Sequence, residues 1–364
     1  MGAQPTVSDV AGVAGVSRQT VSNVLNAPEL VRPETRERVQ AAIHSLGYRP
    51  HASARRLRTQ KSSTIGIRLD PITQDGISGS ILDRFLHALT EQADRQGLRM
   101  LLFTADGPEG EIEQFRRLSD AADVDAFVLT STFHGDPRTE WLIENGQSFV
   151  TFGRPWGIDD MTDPEHLWVD VDGRAGVRDA TLHLLSRGAR RIGFLGWPSG
   201  SGTGDDRRAG WREAMRQGSG LSEEELRLLD IAAEDAVPFG AEAVRRLELQ
   251  AGPLDGLVCA SDSLALGALT ATGGRIPVIG YDDTPVAASL GFSSVAQQLD
   301  EVAAGVLELL TGTHGGRVRR GDDVADPRHR LVAPRLVVRD SPALFGGGAA
   351  SERSVSSNRM SKNS

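Results

Sequence analysis

The first 50 residues repeat apolar and polar positions at helical spacing in three short runs. Thr6-Val7-Ser8-Asp9 opens the first: the Thr6 hydroxyl can cap the Asp9 amide while Asp9 reaches back, and Val7, Val10 and Ala11 share one face. A glycine-containing turn at 12–15 follows. Ser17 starts a second helix over 17–25, with Val21, Val24 and Leu25 on its apolar side and Arg18, Gln19, Ser22 and Asn23 on the other. The third run has Pro33 in its first turn and Glu34 and Glu37 near the positive end of its dipole. Val39, Ile43 and Leu46 then recur at i, i+4 and i+7, and Gly47 terminates the run. Two short helices joined by a tight turn and backed by a third predict a helix-turn-helix headpiece.

Beyond residue 61 the period changes. Short apolar runs at 64–69, 99–104, 126–130, 148–152, 191–195, 256–259 and 277–279 read as strands. Helical stretches such as 81–96, 175–186 and 207–217 lie between them. This alternation predicts an α/β core of parallel sheets flanked by helices, with about seven strand–helix units in two subdomains. The tail at 341–364 is rich in Gly and Ser, carries no leucine heptad, and is expected to be disordered.

Charge sharpens the division. The chain carries a net −9, which alone argues against a nucleic-acid partner. Residues 1–61, however, hold nine Lys and Arg against four acids, a net of +5, leaving 31 against 45, a net of −14, on the rest. A small basic head on a large acidic body points to polyanion binding by the head. The second helix carries the side chains for it: Arg pairs with guanine, Gln and Asn with adenine, and Ser17 and Thr20 suit phosphates.

Several classes drop out. Only Lys61 and Lys362 are lysines, preceded by Gln60 and Ser361, so no Walker A loop exists. The single Cys259 excludes a disulfide framework and a cysteine-based zinc cluster. No serine sits in Gly-x-Ser-x-Gly, the eight histidines are scattered, and Gly200-Ser201-Gly202-Thr203-Gly204 misses the dinucleotide spacing. The expectation is a non-enzyme with no cofactor and no metal. No apolar run is long enough to span a membrane and no leader precedes the headpiece, so a cytoplasmic location is expected.

The run TVSDVAGVAGVSRQTVSNVLN, continued by VRPETRERVQAAIHSLGYRP and ASARRL, resembles the DNA-binding head of the LacI/GalR family of bacterial transcription regulators. The segments STIGIRL, DVDGRAG, RRIGFLG, DDRRAGWREAM, SDSLALGAL and PVIGYDDTPVA extend the resemblance over nearly the whole chain. FGRPWG with GWPSGSGTGDDRRAGW is most similar to regulators of cello-oligosaccharide or β-glucoside use. The resemblance implies a helix-turn-helix domain (1–50), a hinge helix (51–61) and a periplasmic-binding-protein-like core of two Rossmann-like lobes (62–340). The first lobe is expected at 62–158 plus 291–321 and the second at 159–290 plus 322–340, with crossings near 157–163, Gly291 and Asp322.

It also implies roles. Thr6, Ser17, Arg18, Gln19, Thr20, Ser22, Asn23 and Asn26 would face DNA. Ala54, Arg55 and Leu57 would act in the hinge, with Leu57 wedged into the minor groove. Arg154, Trp156, Arg207, Ser261 and Asp282 would meet a sugar-sized effector between the lobes. Two departures from the family pattern, Gly153 in place of a common Asp and Asp235 in place of an aromatic, put a simple carry-over of galactoside or purine specificity aside. The implied protein is a homodimer that binds a pseudo-palindromic operator in double-stranded DNA and represses sugar-utilisation genes until a small sugar, such as cellobiose or a related β-glucoside, releases it. A corepressor-dependent regulator with a non-sugar ligand is the alternative. A solute-binding protein shares the core fold, but it needs a leader and has no use for the headpiece.

Overall fold

The computed structural model describes residues 5–48, 62–69, 77, 79–157, 160–312 and 328–339. The chain separates into two compact units, Met1–Ser62 and Ser63–Ser364.

The headpiece is built on its caps. In α1 (Val7–Ala14) the Thr6 and Asp9 side chains satisfy each other's backbone amides, and Gly15 closes the helix at φ +63°. Hydrogen bonds from the Thr6 amide and hydroxyl hold the Asp9 carboxyl below its usual range. Ser17 caps α2 (Arg18–Asn26) through the Thr20 amide, and α3 (Pro33–Leu46) ends at a left-handed Gly47. Val10, Ala11, Ala14, Val21, Val24, Val39, Ala42 and Tyr48 form the core. Leu25, expected on the buried face, is 36% exposed: Val21 and Val24 already fill the space between these short helices, and Leu25 falls at the edge of their stripe.

The core runs β1 (Thr64–Arg68), α4 (Gly79–Arg95), β2 (Arg99–Phe103), α5 (Gly107–Asp120), β3 (Ala126–Leu129), α6 (Pro137–Glu144), β4 (Phe149–Phe152) and β5 (Trp168–Val171). It continues through α7 (Gly173–Ser186), β6 (Ile192–Gly196), α8 (Gly202–Gly218), α9 (Glu223–Leu228), β7 (Asp230–Ala232), α10 (Val237–Ala251) and β8 (Gly256–Cys259). Then follow α11 (Asp262–Thr272), β9 (Val278–Tyr281), α12 (Pro285–Leu290), β10 (Ser293–Ala296), α13 (Leu299–Gly312), β11 (His329–Val332) and β12 (Arg335–Val337).

Two six-stranded sheets result, ordered β11-β5-β4-β3-β1-β2 and β12-β10-β9-β8-β6-β7, parallel throughout except for the antiparallel β10–β12 pair. Each sheet is covered on both faces, as buried parallel strands require. In the first lobe α4 and α13 pack over Val128, Val150 and Val169, while Phe115, Leu118 and Leu142 of α5 and α6 cover the other face. In the second, α7 and α8 pack together on one side and α10 and α11 on the other.

The crossings between lobes correct the expected ones. β5 still belongs to the first sheet and β10 to the second, so the chain crosses at Asp172, at Gln297-Gln298 and at Ala333-Pro334. The physical reason lies in side chains that read as surface. Asp170 interrupts the apolar run of β5, and Ser293 and Ser294 interrupt β10, yet all three are buried and hydrogen-bonded. The expected third crossing, near Asp322, lies outside the described residues.

Candidate functional site

The headpiece presents the second helix as expected of a reading element. Arg18 and Gln19 are exposed in its first turn and Asn23 is half-buried one turn on. The Gln19 amide donates to Asn23 Oδ1 at 2.9 Å, which fixes two adenine-pairing side chains relative to each other. Ser17 Oγ and Thr20 Oγ1 lie 2.9 Å apart at the helix start, with Ser22 half-buried along the same element. Thr6 serves as the cap of α1. The Asn26 side chain and Ala54, Arg55 and Leu57 lie outside the described residues.

In the core, a cleft of about 230 Å³ lies between the lobes. Thr130–Thr132 after β3, Gly153 and Arg154 after β4, Asp170 in β5, and Thr203, Asp206 and Arg207 of α8 line it, together with Gln297 at a crossing. In the first sheet the strand order reverses beside β1, and in the second beside β6. Ligands in such sheets settle beyond the carboxyl ends of the strands at that switch, and the cleft joins both switch points.

Arg154 spans the cleft. Its Nε donates to Asp170 Oδ2 on its own lobe and its Nη2 to Asp206 Oδ2 on the other, both at 2.7 Å. Burial opposes its charge, but the two carboxylates outweigh that and hold its pKa above the ordinary value. Burial likewise pushes the Asp170 carboxyl up, against the pull of Arg154. The Trp156 ring lies over this guanidinium at 4.3 Å and against Gly202, where a Cβ would come within 2.2 Å of the ring. That approach explains why α8 opens on glycine, in a stretch that reads as loop. Gly153 has a similar cause: at φ +125° a Cβ would meet Thr132 Oγ1 at 2.6 Å.

Arg207 is only 5% exposed. Its guanidinium lies 3.6 Å from the Tyr281 ring centre and 5.1 Å from that of Trp197, and Nη1 donates to the Ala260 carbonyl. Its Nε, the Tyr281 hydroxyl and the Trp156 and Trp197 indole nitrogens are buried without a hydrogen-bond partner. All four belong to Arg207 or to aromatic rings packed on Arg154 and Arg207, the two arginines that line the cleft. Asp282, next in the chain after Tyr281, accepts from Gln297 Nε2 at 2.7 Å and sits 3.9 Å from Arg207 Nη2. Burial, only partly offset by Arg207, pushes its carboxyl up to about 7.

Of the five residues expected at the effector, Arg154 and Arg207 line the cleft, Trp156 packs on Arg154, and Asp282 packs on Gln297 and near Arg207. Ser261 stands behind it: its hydroxyl caps α11 through the Leu264 amide and donates to Asp235. Asp206, Trp197, Tyr281 and Gln297 escaped the sequence reading. Trp197 directly follows the carboxyl end of β6, the position that marked Arg207's neighbourhood, and Tyr281 directly precedes Asp282. Gln297 carries no comparable signal.

Among the described residues, no group of three or more His, Cys, Asp or Glu is placed to hold a metal ion, and no helix is long and apolar enough to cross a membrane.

A helix-turn-helix head and a two-lobed core with a cleft between its lobes define a DNA-binding transcriptional regulator. Comparison with known proteins places it further. Residues 6–51 match the model for bacterial regulatory proteins of the lacI family, and 181–342 match the periplasmic binding protein-like domain. The HTH-type transcriptional regulator CelR of Thermobifida fusca is 31% identical over 348 residues, 93% of this chain and 98% of that protein. A LacI-family regulatory protein from Chloroflexus aggregans, of known structure, shares 31% identity with a TM-score of 0.68, over 77% of this chain and 98% of that one. A CelR–cellobiose complex superposes with a TM-score of 0.63 at 28% identity, over 93% of this chain and all of that one. The chain belongs to the LacI family of bacterial transcriptional regulators.

Proposed function

We propose that the interlobe cleft binds a small neutral sugar of the β-glucoside type, cellobiose foremost, and that this controls repression by a homodimer whose two headpieces read a pseudo-palindromic operator. The observation that carries the reading is the Arg207 cluster. A guanidinium with a free Nε, stacked on Tyr281 and faced by the Asp282 carboxylate, offers donor and acceptor to vicinal hydroxyls, while Trp156 and Trp197 offer ring faces. The similarity to CelR, whose complex with cellobiose is known, supports the same class of ligand. Arg18, Gln19 and Asn23 would contact bases, Ser17, Thr20 and Arg55 phosphates, and Leu57 the central minor-groove step.

A thermal-shift screen with cellobiose, cellotriose, glucose and galactose, followed by operator binding by fluorescence anisotropy, tests this. The expected result is stabilisation by cellobiose or cellotriose and weaker operator binding in their presence. Absence of any shift with all four sugars rejects a sugar effector of this kind. Tighter operator binding with sugar present would reverse the polarity and favour a corepressor.

A further inference from the structure

Helix α4 belongs to the first lobe, yet its exposed Arg84 reaches the second. Arg84 Nη1 donates to the carbonyl oxygens of Asp282 and Asp283, 3.2 Å each. These two residues form the corner between β9 and α12, with φ +108° and +46°. Non-glycine residues rarely adopt either conformation, and such corners persist only where the surroundings over-determine them. Here they do. Gln297 donates to the Asp282 carboxylate, the Asp283 amide donates to Ser294 Oγ at 3.0 Å, and Arg339 pairs with the Asp283 carboxylate at 2.7 Å. The next amide, Thr284, donates to the buried Asp262 at 2.7 Å.

The corner therefore has two ends. The Asp282 side chain stands beside Arg207 at the effector cleft, and the carbonyls of the same residue and its neighbour are gripped by α4. Peptide planes and side chain share the Asp282 Cα, so a group that draws the carboxylate into the cleft re-aims the carbonyl that Arg84 holds. Restraint by Gln297, Ser294 and Arg339 leaves the corner little room to absorb that change locally.

We propose that Arg84 is the positioning residue that transmits the state of Asp282 to α4, and so couples the effector cleft to the first lobe. As an account of effector control, this rests on the cleft reading above; the link between Asp282 and α4 does not depend on which ligand is bound.

Hydrogen exchange on the full-length protein, without ligand, tests that link. Asp282→Asn changes the charge at the cleft with almost no change in shape. It is expected to alter exchange of the α4 amides by about threefold or more when Arg84 is present, and to leave them unchanged in an Arg84→Ala background, the cycle isolating the coupling between the two positions. Arg84→Lys, which keeps a donor, is expected to restore part of the response. An equal response in both backgrounds, or none in either, overturns the proposal. A merely structural arginine would change the melting temperature but leave transmission intact.

Cellobiose titration supplies the second arm. Arg84→Ala is expected to bind cellobiose within about twofold of the native affinity, yet to lose about tenfold of the cellobiose-induced change in operator affinity, within the usual range of such couplings. Failure of the native protein to bind cellobiose removes the effector reading, while the exchange cycle still decides the role of Arg84.

Discussion

Arg207 and Asp282 attract each other across 3.9 Å, too far for a hydrogen bond between them. An inserted hydroxyl satisfies both at once, whereas a tight direct pair would have to be broken first. Arg207→Ala is therefore expected to abolish the response of operator binding to sugar and to leave sugar-free operator affinity within about twofold, read by anisotropy titration. Asp282 makes a second prediction. Its carboxyl sits near 7 in the folded chain against an ordinary value near 4, so between those limits the folded state holds a proton that the unfolded state has lost. Stability consequently falls as pH rises through that window and levels off above it. The melting temperature of Asp282→Asn minus that of the native protein should climb from pH 4 to pH 7 and then flatten; a constant difference contradicts the raised value. Cys259 is fully buried with its thiol pushed upward by burial, so the native protein should react with a thiol reagent only at the rate of unfolding.

At the level of elements, capping and period made the headpiece legible: Thr6, Ser17 and Gly47 each announce a helix end through local chemistry alone, and all three act there. Ser17→Ala is expected to cost the headpiece about 1 kcal/mol, measured by calorimetry as a shift of its own transition with that of the core unmoved. β5 and β10 were harder to read, because what permits a buried Asp170, Ser293 or Ser294 is a partner far along the chain. Arg154 shows the same limit. It was expected to meet the effector, and the structure engages it with Asp170 and Asp206, a pairing no local pattern could reveal. The cleft residues that could be read follow strands and carry chemistry by type; Gln297 was silent because a glutamine at a crossing looks like any surface glutamine.

For the whole molecule, charge is divided as labour is. The head carries +5 and the remainder −14, so electrostatic attraction to DNA is concentrated in residues 1–61. Operator affinity is expected to fall linearly on logarithmic axes as salt rises, with a slope set by the phosphates contacted, and reversing Arg55 to Glu should make that slope shallower as well as weaken binding. A flat salt response would contradict a phosphate-dominated interface.

One further property follows from the bond between Arg154 and Asp206. A cleft of about 230 Å³ is smaller than the roughly 300–1,000 Å³ typical of small-molecule sites, so on the proposed reading a disaccharide would have to part the lobes, and this ion pair spans them. The pair would then be a contact between the lobes that sugar binding has to exchange for contacts of its own.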